Sequence, residues 1–192
     1  MTKKNEKKIV KIAENEIVKF IKEWKKNPYL WGSETDIHAE IYIRIKKSLH
    51  KEFPIEKYQY RGMKKEECLD WIYCKSPIGR VKKGKKICDY PDISIFTYSK
   101  NKKGDCAKDK LIWICEIKYA TDWAGTLIVE HVKSDIRKLK YFLKRENRGA
   151  YKACYLILRR YHSPSEFVKK ILKNIKKLKG KLKLFHDSIG DK

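Results

Sequence analysis

Residues 111–119 read LIWICEIKY and residues 151–160 read YKACYLILRR. Between them, residues 126–146 place Ile128, Val132, Ile136, Leu139 and Leu143 at helical spacing. The two outer stretches are nearly continuous apolar runs of strand length, the pattern of strands covered on both faces. A strand, a helix and a second strand in that order imply a parallel pair joined by a right-handed crossover. Shorter strand-like stretches come before: IEKYQY (55–60) and ICDYPDISIF (87–96), the latter with a break at Pro91. Short connections there predict antiparallel pairing. Residues 61–86 are polar and ambiguous around LDWIY (69–73), and SKNKKGDCAKDK (99–110) reads as a loop. We therefore expect 87–96, 111–119 and 151–160 in one mixed sheet with helices on both faces, an α/β fold.

Further out, residues 5–26 form an amphipathic pattern. Ile9, Ile12, Ala13, Ile17, Phe20, Ile21 and Trp24 share one stripe, and Asn27–Pro28 ends it. A second helix is expected to start among the capping residues Ser33–Asp36 and to bury Ile37, Ile41, Ile45 and Leu49 before Pro54. Pro164 is placed to open a last helix running to about Lys179. No repeat or low-complexity linker divides the chain, so 1–192 reads as one domain. Its core is expected at about 33–160, with helices 5–26 and 164–179 as appendages.

At 42% hydrophobic and 12% aromatic over 192 residues, the chain can bury a core, which excludes disordered and collagen-like classes. Charge is the outlier: 48 Lys+Arg against 24 Asp+Glu gives +24. Such an excess favours a polyanionic partner, a nucleic acid or an anionic membrane surface. The run RVKKGKK supplies Arg80, Lys82, Lys83, Lys85 and Lys86 as phosphate-binding candidates, and 159–183 holds ten basic residues against Glu166 alone. No helix pairs its lysines with an exposed aromatic edge, which disfavours the membrane. No run reaches the ~18 apolar residues of a membrane span, and the N-terminal residues lack a signal-peptide pattern, so a cytoplasmic protein with reduced cysteines is expected. Cys68, Cys74, Cys88 and Cys106 lack the paired spacing of a zinc or iron–sulfur site, and Cys115 and Cys154 sit in apolar runs as small core residues.

Three ionisable residues stand in apolar surroundings: Asp92 in YPDISIF, and Glu116 and Lys118 in WICEIKY. Residues two apart on a strand share a face, so Glu116 and Lys118 lie side by side. Burying them without partners is costly. If the strands of Asp92 and Glu116 are neighbours, their carboxylates converge and repel unless a proton or a cation intervenes. A hard divalent ion such as Mg²⁺ meets that need, and Lys118 beside it suits an attacking water or a phosphate.

PDISIF followed by CEIK resembles the PD-(D/E)xK nuclease superfamily, the restriction-endonuclease-like fold. The order of elements over roughly 33–160 is also similar. The resemblance implies a Mg²⁺ site (Mn²⁺ as substitute) with Asp92, Glu116 and the carbonyl of Ile117 as ligands and Lys118 as catalytic lysine. It implies for Glu40, on the early helix, support of a second metal or its waters; the alternative is an ordinary pair with Arg44. Asp36 and His38, near the same helix start, read as capping or solvent-facing residues. The helix after ExK, HVKSDIRKLKYFL, has His131 and Asp135 four apart where the RecB-like branch of the superfamily carries Gln and Tyr. The implied function is a metal-dependent endonuclease acting on DNA rather than RNA, as a homodimer if both strands of a duplex are cut. A Holliday-junction resolvase and a non-catalytic nucleic-acid-binding protein on the same fold are the alternatives.

Overall fold

The computed structural model describes residues 2–54, 57–58, 67–68, 70, 72–75, 78–82, 85–100, 106–120, 125–144, 152–159 and 181–188. Helix α1 (Lys3–Lys26) begins where the Thr2 hydroxyl accepts the Asn5 N–H, and it stops before Pro28. Helix α2 (Glu34–Glu52) opens on a capping box, with the Ser33 hydroxyl accepting the Asp36 N–H and the Asp36 carboxylate accepting the Ser33 N–H. The expected stripes are buried: Ala13, Ile17, Phe20 and Trp24 on α1, and Ile37, Ile41, Ile45 and Leu49 on α2.

Seven strands lead to the crossover: β1 (Lys57–Tyr58), β2 (Glu67–Cys68), β3 (Ile72–Cys74), β4 (Ile78–Lys82), β5 (Lys85–Asp89), β6 (Ile93–Lys100) and β7 (Cys106–Ala120). Helix α3 (Gly125–Lys144), β8 (Lys152–Arg159) and β9 (Leu182–Ser188) follow. The main sheet has five strands in the order β3-β6-β7-β8-β9. β3, β6 and β7 pair antiparallel, whereas β7 and β8 are parallel with Glu116 opposite Tyr155 and Lys118 opposite Ile157. α1 and α2 cover one face together with Trp113, Cys115 and Ile117; α3 covers the other with Ile114, Tyr155 and Ile157. The fold is thus α/β with a mixed sheet between helices.

Several boundaries differ from the sequence reading. The stretch 87–96 splits at Tyr90–Asp92: its second half is β6, while β5 pairs only with β4 in a separate two-stranded ribbon. Pro91 offers no N–H to a ladder, so pairing breaks there. Residues 99–100 and 106–110, expected in a loop, extend β6 and β7 into a long hairpin ladder. Two register shifts in that ladder are β-bulges. The first lets the adjacent Ile112 and Trp113 both enter the α1–α2 core, which explains a run apolar on both faces.

Helix α1 is not an appendage. Phe20 and Trp24 are fully buried in the same core as Ile93 and Ile117. Ion pairs Glu6–Lys110, Glu14–Lys183 and Lys25–Asp187 tie it to β7 and β9. Strand β9 has no counterpart in the sequence reading; it pairs parallel to β8 at the sheet edge. The expected helix 164–179 lies outside the described residues. Among them, no helix is long and apolar enough to cross a membrane.

Candidate active site

Chain order and register bring the ionisable residues together at the carboxyl end of β7. Ile93 pairs with Cys115, so Asp92, just ahead of β6, meets the next stretch of β7. Its Oδ2 accepts the Ile117 N–H at 2.7 Å, and the residue is 1% exposed. Glu116, also buried, points to the α3 face, where Lys138 Nζ lies 3.0 Å from its Oε1. Lys118, two residues on, is half-buried between Glu34 Oε1 of α2 and Asp135 Oδ2 of α3, 3.5 Å from each. Crevices beyond the carboxyl ends of parallel strands, where neighbouring connections diverge, are the usual ligand sites of α/β sheets. Here the carboxyl end of β7 lies between the carboxyl end of parallel β8 and the amino end of antiparallel β6, where Asp92 enters.

Every carboxylate in the cluster has a cationic neighbour. Lys75 pairs with Asp92 Oδ1 and returns a backbone bond, its N–H donating to the Asp92 carbonyl at 3.2 Å. That bond needs Lys75 in the left-handed region, at φ 49°, where a side chain is disfavoured. A glycine would relieve the backbone but lose the ammonium. Asp135 Oδ1 holds Lys138 at 2.8 Å, and its Oδ2 accepts from the Tyr155 hydroxyl at 3.4 Å. Glu34 Oε2 accepts the Tyr119 N–H at 3.1 Å, and Tyr119 Oη donates to the Trp31 carbonyl at 3.3 Å, which pins the start of α2 to the end of β7.

The electrostatics follow from burial and crowding. Burial, then the charges of Asp92 and Asp135, push the Glu116 carboxyl up to about 8 despite Lys138. Lys118 is pulled down by burial, but Asp135, Glu34, Asp92 and Glu116 outweigh that and hold it above the usual lysine range. His38 is buried with Nε2 3.4 Å from Asp92 Oδ2 and 3.8 Å from Glu34 Oε1. Burial lowers its pKa against the pull of Asp92, so the imidazole is neutral at neutral pH.

Asp92, Glu116, Ile117 and Lys118 therefore converge as expected. Glu40 does not join them. Its Oε1 accepts from Arg44 Nε at 2.5 Å, and Arg44 bridges on to Glu23 of α1. At about 100° per residue, Glu40 stands roughly 100° from the centre of the stripe of Ile37, Ile41 and Ile45 that faces the sheet. Glu34 and His38 lie on that stripe and occupy the place expected for Glu40. Asp36 does cap the helix. His38 is a site residue rather than a capping or solvent-facing one. Of the phosphate-binding candidates, Arg80 and Lys82 lie on β4 and Lys85 and Lys86 on β5; Lys83 lies outside the described residues. Cys74 is exposed and free, and Cys115 and Cys154 are buried neighbours on β7 and β8.

Asp92 raises the proton affinity of the buried Glu116 beside it, and two carboxylates placed so form a donor set suited to a divalent cation. Asp92, Glu116 and the Ile117 carbonyl, with neutral His38 beside Asp92, are the groups that could hold one. Among the described residues no three His, Cys, Asp or Glu side chains are gathered into a ready cage; lysines stand between the carboxylates instead. No known protein family, curated protein or solved structure matches the chain.

Proposed function

We propose that the chain is a divalent-metal-dependent endonuclease of the PD-(D/E)xK type that hydrolyses phosphodiester bonds in DNA. The observation that supports this most is the meeting of Asp92, Glu116 and Lys118 at the carboxyl end of β7, reached through neighbouring strands. Asp92, Glu116 and the Ile117 carbonyl would hold Mg²⁺ or Mn²⁺. Such an ion activates water and neutralises charge on the phosphoryl oxygens. Lys118, cationic and held from two sides by Glu34 and Asp135, orients the attacking water and faces the negative phosphate. Water oxygen bonds to phosphorus as the bond to the 3′ oxygen breaks, and the proton lost by the water is balanced by one taken up by the leaving oxygen. One such site per chain cuts a duplex through when two chains act as a homodimer. A four-way junction is a substrate of the same chemistry.

The pairing of each carboxylate with a lysine favours one second reading, a nucleic-acid-binding protein without catalysis. Supercoiled plasmid incubated with the protein and Mg²⁺ or Mn²⁺ separates the two. Nicked and linear products that vanish in chelator are expected, and intact plasmid at high protein concentration sinks the nuclease.

Binding should be strongly electrostatic at a net charge of +24. Affinity for duplex DNA is expected to fall linearly on a log–log plot against salt. Replacing Arg80, Lys82, Lys83, Lys85 and Lys86 with Ser should weaken binding and flatten that slope by about one for each phosphate that is no longer neutralised. An unchanged slope would remove the β4–β5 ribbon from the interface.

Glu40→Gln should leave the plasmid cleavage rate within about twofold of the parent and lower stability by only a few tenths of a kcal/mol, the worth of an exposed helical pair. Glu34→Gln should slow cleavage by an order of magnitude or more, because it loosens both Lys118 and the Tyr119 backbone. Equal rates in the two variants would show that Glu34 has no part in positioning Lys118.

A further inference from the structure

Among the described residues, Lys138 is the lysine of the cluster that joins Glu116 to Asp135. Its Nζ stands 3.0 Å from Glu116 Oε1 and 2.8 Å from Asp135 Oδ1, and its side chain is 20% exposed. Lys75, which pairs with Asp92, has a side chain 53% exposed and reaches the site from solvent. Lys118 is held between Glu34 and Asp135 rather than against Glu116. Asp135 is itself buried and fixed by the Tyr155 hydroxyl. Its two oxygens thus serve two lysines, one on each side. The i,i+3 spacing of Asp135 and Lys138 on α3 aims the ammonium across the helix face at Glu116.

We propose that Lys138, anchored by Asp135, is the resident counter-cation of Glu116, which an entering divalent ion must displace, so that Lys138 sets the affinity of the site for that ion. The inference rests on the reading of Asp92 and Glu116 as metal ligands. The carboxyl oxygen 3.0 Å from the ammonium already has a cation beside it. A divalent ion entering there exchanges one cation for another rather than binding a bare site. The ammonium keeps its second carboxylate, Asp135, after it leaves Glu116, so it is not expelled into water. The site is thereby weak for divalent ions when empty of substrate, and Glu116 has a cation beside it whether or not the divalent ion is bound.

The test is Mn²⁺ binding by titration calorimetry, checked by the rise in melting temperature with Mn²⁺, on the wild type, Lys138→Met and Lys138→Gln. The glutamine variant keeps a hydrogen-bond donor to Asp135 without the charge, so that one variant folds if the other does not. Arg137→Met, at the exposed neighbouring position, removes the same charge without touching the cluster. We expect both Lys138 variants to bind Mn²⁺ about tenfold more tightly than wild type and Arg137→Met to stay within twofold. Equal affinity in wild type and both Lys138 variants overturns this proposal and leaves the metal site standing. An equal gain in Arg137→Met overturns it too, as a general charge effect. Absence of Mn²⁺ binding in every protein overturns it together with the nuclease reading.

Discussion

Asp92→Asn should abolish metal-dependent plasmid cleavage, with a loss of ~10³-fold or more, the scale seen when a group essential to transition-state charge is removed. The amide keeps the size of the carboxylate and can still accept the Ile117 N–H that Asp92 now accepts at 2.7 Å. It gives up the charge that a divalent ion requires and that Lys75 neutralises. Affinity for DNA should hold or rise, since one fewer negative charge faces the phosphates. Asp92→Ala is a harsher change than the sequence suggests. It strands the buried Ile117 N–H at an expected cost of ~1–3 kcal/mol, and a melting temperature several degrees lower is the sign of it. The two variants together separate chemistry from folding. Lys118→Ala should also lose cleavage while keeping Mn²⁺ affinity, because an ammonium is not a ligand. If Asp92→Asn cuts at the parental rate, Asp92 is a structural acceptor and nothing more.

Asp92, Glu116 and Lys118 are legible in the sequence because each is an ionisable residue in an apolar strand context. Alternation along β7 and the parallel crossover then fix where they meet. The same signal is present on the helices, where the sequence reading makes no use of it. Asp135 falls on the buried stripe of Val132, Ile136 and Leu139, and Glu34 and His38 extend the stripe of Ile37, Ile41 and Ile45 towards the helix start. A polar residue on a buried helical face is as informative as one inside a strand, and it ranks Glu34 and His38 above Glu40. Lys75 and Lys138 cannot be found that way. Both reach the site by long side chains from positions that look solvent-facing in the sequence, and only the tertiary packing aims them inward. The long β6–β7 ladder is hidden for a different reason. Its outer half, at 99–100 and 106–110, is rich in Lys and Asp, residues with weak strand preference, and pairing in a hairpin overrides that preference.

Glu116→Gln should stabilise the metal-free protein at neutral and alkaline pH and remove part of its pH dependence. The folded carboxyl titrates at about 8 against an ordinary value of 4.5, chiefly because of burial and then the charge of Asp92. A carboxyl raised in this way binds its proton more tightly folded than unfolded. Its favourable contribution is complete below about pH 4.5, declines as pH rises, and is gone above about pH 8. At pH 7 the shift corresponds to about 3 kcal/mol against the folded state. Lys138 partly offsets the charge and loses a partner in the variant, so a net gain of about 1–3 kcal/mol is expected, or on the order of 5 °C in melting temperature. The lowered pKa of the buried His38 works in the opposite direction, adding stability as pH rises through its range. The difference between variant and wild type, rather than either curve alone, therefore isolates Glu116. In chelator that difference should be small at pH 5 and widest near pH 8. Mn²⁺ at pH 8 should close it by stabilising wild type more than the variant, since a divalent ion satisfies the carboxylate and gains little from the amide. Parallel melting curves from pH 5 to 8, unmoved by Mn²⁺, would mean that Glu116 is already balanced by Lys138 and has no need of a metal.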